Sequence, residues 1–398
     1  MQVVNKKMCV IVILVLVIIE SCTLFLMYKS YGNKNTSLDE VNLNKEINNN
    51  MFAIMLEQED GTYKEDAINT WPTSGYTYNA SMSGCIDLNG NKLDGVLTYD
   101  STNNIATVDT GNTSYCYLYF SIPKWCNEGE TASECLLRNP TASLNNTAIE
   151  AGMYRYQGTD AMNYVCFGTT SKSECTGNTD AYMYRIIGIR PNGQMKLIKK
   201  EALNSAVKWW DNNTDNKEWP DSNIYTTLNG NSYLLNGTYV PTDWESKIAI
   251  QDWYYGDTTN SGLYKGTTMY PIENPFGEST ETNKFTNTVS AKIGLMYIHD
   301  YYYAYASGGA PGSYSNAKTA WIHMSKNDSR APSSYEWPMS RYGVANNGSH
   351  FAWAVYSGGN VGTFVLSSAH SVRPVFYLTS DVKLTRGDGS SSNPFIIG

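Results

Sequence analysis

The chain has 398 residues, of which 17% are charged and 41% apolar, and its formal net charge at pH 7 is −8. This length exceeds what one hydrophobic core usually serves, so more than one folded unit is predicted and a disordered chain is excluded. The one short basic run is KLIKK at 196–200, which is too small for a nucleic-acid-binding surface, and no nucleic-acid partner is predicted. The 31 tyrosines and 10 tryptophans are typical of aromatic-rich β structure.

A cytoplasmic flank at 1–7 and a transmembrane signal anchor at 8–28 are the first predicted elements. The anchor, MCVIVILVLVIIESCTLFLMY, is long enough to cross a bilayer as one helix, and two lysines precede it on the side expected to stay in the cytoplasm. A cleaved signal peptide, or a lipoprotein modified at Cys22, would fit less well because Glu20 precedes an apolar TLFLM. All three alternatives place the bulk of the chain outside the cell, and the first predicts a single-pass cell-membrane protein.

A polar linker at 29–50 and a small, sandwich-like all-β domain at 51–122 come next. The linker is rich in asparagine and has little periodicity. The domain contains alternating segments such as GCIDLNG, IATVDT and YCYLYFSI, which are separated by turn residues and therefore read as strands. A connector closed by a disulfide is predicted at 123–143.

Six cysteines follow the predicted anchor, an even number that suits an oxidising compartment. Six cysteines allow 15 pairings. Pairing of neighbours is the simplest, and it predicts Cys85 with Cys116, Cys126 with Cys135, and Cys166 with Cys175. The chain has no Cys-x-x-Cys and no histidine close to a cysteine, so no metal site is predicted.

The larger unit is predicted at 144–398 and is expected to be α+β. Residues 182–200 form two strands around a Pro-Asn-Gly turn, and 201–210 and 222–235 have helical spacing. Residues 291–306, AKIGLMYIHDYYYAYA, fit a strand that leads into a helix. Short strands between Gly, Ser and Asn-rich loops follow, and helices before strands favour the α+β class.

Three stretches of this unit together resemble a domain of unknown function that is common in surface proteins of gut Firmicutes. They are DSNIYTTLNGNSYLL at 221–235, EWPMSR at 336–341 and FAWAVYSGGNVGTFVLSSAHSVRPVFYL at 351–378. That domain is similar to the formylglycine-generating-enzyme and C-type-lectin-like fold, so the resemblance implies a C-type-lectin-like C-terminal domain. Enzymes of that fold bind copper through late cysteines or iron through histidines. This chain has no cysteine after Cys175 and its histidines lack ligand spacing, so no cofactor is predicted.

Arg373 and Pro374 interrupt the apolar end of the third stretch, and we predict a structural role for both. A buried arginine needs a carboxylate or several carbonyls around it. Proline removes a ladder donor and belongs at an edge or a bulge.

Aromatic residues in the late loops are the predicted ligand-binding residues, because exposed Trp and Tyr often anchor protein or sugar ligands. With one neighbouring arginine, they are Trp321, Trp337, Arg341, Trp353 and Tyr356. A place in the core is the alternative, and it is favoured for Trp337 and Trp353. The Glu-Pro-Asn and Trp-Asn-Asp signatures of calcium-dependent sugar binding are absent from the sequence.

Two short motifs carry little weight. Ser205 and Lys208 match a Ser-x-x-Lys motif but fit the surface of a helix better, and Arg386-Gly387-Asp388 fits a turn better than an adhesion loop. We therefore predict a membrane-anchored, non-catalytic binding or adhesion protein for an extracellular protein or glycan. An exported enzyme acting on cell wall or glycan, and an architectural envelope protein, are the alternatives.

Overall fold

The computed structural model describes residues 51–398 apart from short internal gaps, which fall at 59–60, 67–70, 73–75, 110–112, 123–125, 231–239, 259–264, 275–283, 311–316, 325–330 and 345–347. The predicted flank, anchor and linker at 1–50 lie outside the described residues. Within the described part of the chain, no helix has the length and apolarity needed to cross a bilayer.

The described residues are mostly β, with 37% in strands and 17% in helices. The predicted α+β class, with its C-type-lectin-like domain, is therefore wrong. Asn, Gly and Ser interrupt the segments with helical spacing, because these residues favour caps and turns. Residues 201–210 contain no helix, and 222–235 contain one that ends at Asn229.

The chain divides into two compact units, one ending at Ser121 and the other beginning at Ile122. The strands of the first unit are β1 Met51–Glu57, β2 Tyr63–Glu65, β3 Thr77–Tyr78, β4 Gly84–Asp87, β5 Lys92–Leu93, β6 Leu97–Asp100, β7 Ile105–Val108 and β8 Ser114–Ser121. Five of them form a sheet in the order β2-β1-β8-β4-β5, β3 pairs with β8, and β6 and β7 form a separate hairpin. Among the described residues of this unit, Ile54, Ala106, Leu118 and Phe120 form a buried cluster, and the side chains of Cys85 and Cys116 are also buried.

The second unit contains short helices between many strands. Its α-helices are α1 Ala132–Arg138, α2 Lys172–Gly177, α3 Thr179–Tyr182, α4 Asn223–Asn229, α5 Thr242–Glu245, α6 Gly266–Glu273 and α7 Ile298–Tyr303. Its strands are β9 Leu144–Glu150, β10 Met153–Tyr156, β11 Tyr164–Cys166, β12 Met183–Ile189, β13 Met195–Lys199, β14 Val207–Lys208, β15 Ile248–Ala249, β16 Gln251–Tyr255, β17 Asn287–Ala291, β18 Ile293–Gly294, β19 Tyr335–Glu336, β20 Arg341–Val344, β21 His350–Tyr356, β22 Val361–Val365, β23 Ala369–His370, β24 Val375–Leu378, β25 Leu384–Arg386 and β26 Phe395–Ile397.

A ten-stranded sheet organises the second unit. Its main path runs β15-β24-β13-β12-β11-β26-β25, with β9, β10 and β18 attached at its sides. Strands β12 and β13 are buried at every residue, and they are joined by the predicted Pro-Asn-Gly turn, in which Gly193 adopts a φ of 86° that other residues rarely adopt. A four-stranded sheet, in which β21 is central, and the pairs β14–β23 and β16–β17 complete the unit.

The segment predicted as a connector, 123–143, belongs to the second unit. Helix α1 begins in it with a capping box between Thr131 and Glu134, and this box satisfies backbone donors at the first turn. Ala132 and Leu136 on this helix are part of the core of the second unit.

All three disulfides join neighbouring cysteines, as the sequence predicts: Cys85–Cys116, Cys126–Cys135 and Cys166–Cys175. The first links β4 to β8 within the small sheet, where the core is formed by few side chains. Disulfides persist in oxidising compartments, so they indicate an extracellular or secreted protein.

Candidate functional site

The three tryptophans predicted to bind ligand are in the core. The exposed fractions of Trp321, Trp337 and Trp353 are 5%, 0% and 6%. The indole N–H of Trp337 donates to the carbonyl of Val207 at 2.9 Å, and that of Trp321 donates to the carbonyl of Tyr156 at 2.9 Å. These residues therefore form no exposed aromatic surface, although Trp321 also lines a cavity.

The other two predicted ligand-binding residues also have internal partners. Tyr356 is half-buried, and its ring packs against Tyr335 and Phe364. Arg341 is buried, and its Nε lies 3.1 Å from Oδ1 of Asp257. Burial lowers the pKa of Arg341, and the Asp257 carboxylate opposes that change. The structure does not bring the five predicted residues together as one binding surface.

Arg373 has a carboxylate and a carbonyl around it, the two kinds of acceptor expected for a buried arginine. Its Nε and Nη2 donate to the two oxygens of Glu336 at 2.7 and 2.8 Å, and Nη2 also donates to the carbonyl of Ile322. The carbonyl of Pro374 accepts the backbone N–H of Lys199 at 3.0 Å, just before β24 begins. These contacts tie the late loops to the central sheet.

Neither short sequence motif forms a site. Ser205 and Lys208 are exposed, and Lys208 lies in β14 rather than on a helix. Arg386 donates to the carbonyl of Thr170, and Asp388 accepts the backbone N–H of Ser390, so both side chains of the Arg-Gly-Asp tripeptide serve the local fold.

The only group of potential metal ligands found among the described residues consists of Cys126, Glu130 and Cys135. The two sulfur atoms are bonded to each other, so neither is a thiolate that could hold a metal. The Glu130 carboxylate is paired with Arg138, which holds the pKa of Glu130 at about 2. This group is therefore structural.

A cleft of about 460 Å³ in the second unit is the best candidate site, and its volume is typical of ligand pockets. We call it the Trp253 cleft. Strand β16, helices α6 and α7 and strands β13 and β24 supply most of its wall. The side chains that line it include Arg190, Lys196, Gln251, Asp252, Trp253, Tyr254, Tyr270, Glu273, Asn274, Tyr297, His299 and Tyr377.

Buried charges surround Asp300 beneath the cleft. One carboxylate oxygen accepts from Nζ of Lys196 at 2.5 Å, and the other accepts from Nη1 of Arg155 at 2.9 Å. Burial by itself raises the pKa of Asp300, but Lys196, His299 and Arg155 outweigh burial and hold that pKa well below its usual range. Asp300 also accepts the backbone N–H of Tyr297, so it caps α7 in the first turn, where a negative charge is favoured.

Glu273 fixes the orientation of His299, the histidine in the cleft wall. Its carboxylate accepts the backbone N–H groups of Ile298 and His299, the Oγ–H of Ser340, and Nδ1 of His299 at 2.8 Å. Four donors fill the acceptor positions of one carboxylate. Glu273 therefore holds α7 and the imidazole in place and has no open lone pair for a ligand.

Aromatic rings form much of the wall. The ring of Tyr297 stacks on that of His299 at 5.2 Å, and Trp253 packs against Tyr297 and Tyr377. Gly294 is required here, because a Cβ at this position would lie 2.4 Å from the Trp253 ring. The absence of a side chain at Gly294 thus places the indole beside the cleft.

Polar side chains at the cleft can reach a ligand more readily than those beneath it. Arg190 is half-buried, donates to Oε1 of Gln251 at 2.6 Å and lies 3.8 Å above the centre of the Tyr377 ring. Asp252 is exposed, and Asn274 is half-buried. The cleft therefore combines aromatic faces with amide, guanidinium and carboxylate groups.

No local pattern in the sequence points to this cleft. Its residues come from positions between 151 and 377, so no local spacing connects them. The one available signal was His299-Asp300 at the point where a strand passes into a helix, a transition that the structure confirms.

Comparisons with protein-family models, curated proteins and solved structures found no match for this chain.

Proposed function

We propose that this chain is a cell-surface protein that binds an extracellular glycan in the Trp253 cleft and does not alter it. The observation that carries the proposal is the cleft wall itself, in which the half-buried rings of Tyr254 and Tyr270 lie with hydrogen-bonding groups. Sugar rings present apolar C–H faces to aromatic side chains and hydroxyl groups to polar ones. A cleft of this size suits one or two sugar residues better than the surface of a protein.

Binding without turnover is favoured by the state of the buried carboxylates. Glu273 and Asp300 already accept hydrogen bonds from neighbouring groups on both of their oxygens. A general acid or base must reach the proton that it moves. Among the described residues that line the cleft, there is no Ser, Thr or Cys to act as a nucleophile.

Anchoring at 8–28 is part of the proposal, with the cleft presented outside the cell. It rests on the apolar length of that segment, and the three disulfides support an extracellular place for the rest. A role at the surface of a Firmicutes cell is proposed from the motifs at 221–235, 336–341 and 351–378.

The second candidate is an exported enzyme that uses His299. The pairing of Nδ1 with Glu273 resembles the arrangement in which an orienting carboxylate holds a general base. This candidate is weaker because Nε2 of His299 lies 3.5 Å from Oδ1 of Asp300, which keeps that edge of the ring beside a buried carboxylate.

A glycan array tests the proposal. The full-length chain, purified in mild detergent, should bind a subset of glycans, and the affinity for the best one should be measured by calorimetry. Tyr254→Ala should weaken that affinity by about tenfold or more, because a stacking face is lost. Tyr115→Ala, which changes an exposed tyrosine of the first unit, is the matched control and should leave affinity unchanged.

The same samples separate the two candidates. Under the proposal, the bound glycan is recovered intact after long incubation. Cleavage that is lost in His299→Gln would support the enzyme instead. Absence of glycan binding, or equal binding by the Tyr254→Ala variant, would contradict the proposal.

A further inference from the structure

A second cavity, of about 440 Å³, lies around Arg185 of β12 in the second unit. We call it the Arg185 cavity, and its wall includes Tyr164, Lys318, Trp321 and His323. None of its lining residues lines the Trp253 cleft. The two cavities can therefore be changed independently, and a ligand site at Arg185 does not depend on the proposed glycan site.

The Arg185 guanidinium has neutral hydrogen-bond partners. It is 8% exposed, and it donates from Nε to Oδ1 of Asn163 at 2.8 Å, from Nη1 to the carbonyl of Trp321 at 2.8 Å, and from Nη2 to the carbonyl of Ala161 at 2.9 Å. A guanidinium carries five N–H donors. Three are used, so two have no acceptor within the part of the chain that the structure describes.

Aromatic rings hold the guanidinium in place. Its central carbon lies 4.1 Å from the centre of the Tyr164 ring and 4.6 Å from that of Trp321. Such stacking orients the planar group while its N–H edge stays available for hydrogen bonds. The donors that are not used are thus held in a fixed plane beside the cavity.

The surroundings of the Arg185 charge differ from those of the buried charges of Arg155, Lys196 and Arg373. Arg155, Lys196 and Arg373 each contact a buried carboxylate, whereas no carboxylate of the described residues lies within ion-pair distance of Arg185. A buried cation is unfavourable unless it is paired. Burial accordingly lowers the pKa of Arg185 to about 10, which leaves it charged at neutral pH.

The cavity rim carries charges of both signs. Lys318 is exposed and adds a positive charge, and Asp160, which is also exposed, contributes a negative one. Solvent screens both side chains, so each has a smaller influence on a ligand than the buried guanidinium.

We propose that the Arg185 cavity binds an oxyanion group of an extracellular ligand: a carboxylate, phosphate or sulfate. The two remaining N–H donors of Arg185 bind its oxygens, and Tyr164 and Trp321 keep the guanidinium in the required plane. The ligand thereby supplies a counterion to the buried guanidinium. Charge-assisted hydrogen bonds of this kind are stronger than those between neutral groups and are often bidentate.

Calorimetry on the full-length chain tests this site with glucuronate, glucose, phosphate and sulfate, each at constant ionic strength in chloride. Glucuronate and glucose are a matched pair that differs in the carboxylate. We expect glucuronate, phosphate or sulfate to bind saturably and glucose to bind at least tenfold more weakly at this site. Comparison of the three anions identifies whether the group is a carboxylate, a phosphate or a sulfate.

Variants assign the binding to Arg185. Arg185→Gln should weaken anion binding by about tenfold or more. Lys318→Gln should weaken it about twofold to threefold, and Asp160→Asn should strengthen it to a similar extent, because each changes a screened charge on the rim. These two exposed positions keep the test valid even if Arg185→Gln unfolds the protein.

Lys208→Gln, which changes an exposed cation that lines neither cavity, is the control and should leave anion binding unchanged. The proposal would be overturned if none of the three anions bound saturably in excess of glucose. Anion binding that is lost in Arg190→Gln, in the Trp253 cleft, but kept in both Lys318→Gln and Asp160→Asn at wild-type affinity would also overturn it, because the anion would then occupy the other site.

Discussion

Positive charge is buried both around Asp300 and at Arg185 in the second unit, and of these two places only the first contains a carboxylate partner among the described residues. Beneath the Trp253 cleft, Arg155 and Lys196 share one carboxylate, that of Asp300, and the side chains of all three residues are at most 1% exposed. At Arg185, the guanidinium faces carbonyls, an amide oxygen and two aromatic rings. The difference indicates that the charges around Asp300 stabilise the fold, whereas the Arg185 guanidinium is available to an external anion.

The most damaging change should be Asp300→Asn. It leaves two buried cations without their shared carboxylate, and we expect the free energy of unfolding to fall by about 3 to 5 kcal/mol. Urea unfolding followed by tryptophan fluorescence measures the change. Asp211→Asn, which alters an exposed carboxylate, is the control and should have little effect. A small loss of stability in Asp300→Asn would mean that the buried cations Arg155 and Lys196 do not need the charge of the Asp300 carboxylate.

A buried histidine surrounded by aromatic rings should make the free energy of unfolding depend on pH. Burial lowers the pKa of His370 from 6.5 to about 4. Between these values the unfolded chain binds a proton that the folded chain does not, so the free energy of unfolding should fall as pH decreases from 6.5 to 4. We expect a loss of about 2 kcal/mol across this range.

His370→Phe isolates that contribution. Phenylalanine suits the surrounding rings of Tyr335, Trp337 and Phe364 and cannot titrate. Unfolding curves at several pH values should show a shallower dependence in the variant. Identical dependence in both proteins would assign the acid sensitivity to other groups.

A smaller effect is expected for Arg185→Lys. The substitution keeps the charge, but one ammonium group cannot reach all three acceptors of the guanidinium, and we expect a loss of about 1 kcal/mol. Thermal and urea unfolding should therefore rank this variant well above Asp300→Asn. A loss as large as that of Asp300→Asn would show that the hydrogen bonds and ring contacts of Arg185 stabilise the fold as strongly as the ion pairs of Asp300, and would remove the contrast between the two regions.

The smallest effect should come from a half-buried ion pair. Nζ of Lys292 lies 2.8 Å from Oε1 of Glu245, and the two side chains are 24% and 28% exposed. Glu245→Gln should lower the free energy of unfolding by less than about 1 kcal/mol, because water screens the pair. A loss comparable to that of Asp300→Asn would show that burial does not determine how much these ion pairs stabilise the fold.

Local patterns in the sequence determined several features by themselves. The Pro-Asn-Gly turn between β12 and β13, the passage from strand to helix before α7, and the three pairs of neighbouring cysteines are all found. Each depends on residues close together in the chain, where backbone preferences and short loops dominate. Helical spacing alone overestimates helix, because it does not account for the Asn, Gly and Ser residues that interrupt these segments.

Only the tertiary structure decided which side chains meet. Trp321 and Arg185 are 136 residues apart, and the carbonyl of one accepts a hydrogen bond from the other. Asp300 contacts Lys196 across 104 residues. Whether a charge is paired, or a tryptophan exposed, depends on burial and on distant partners, and these follow from the packing of the sheets and not from any local pattern.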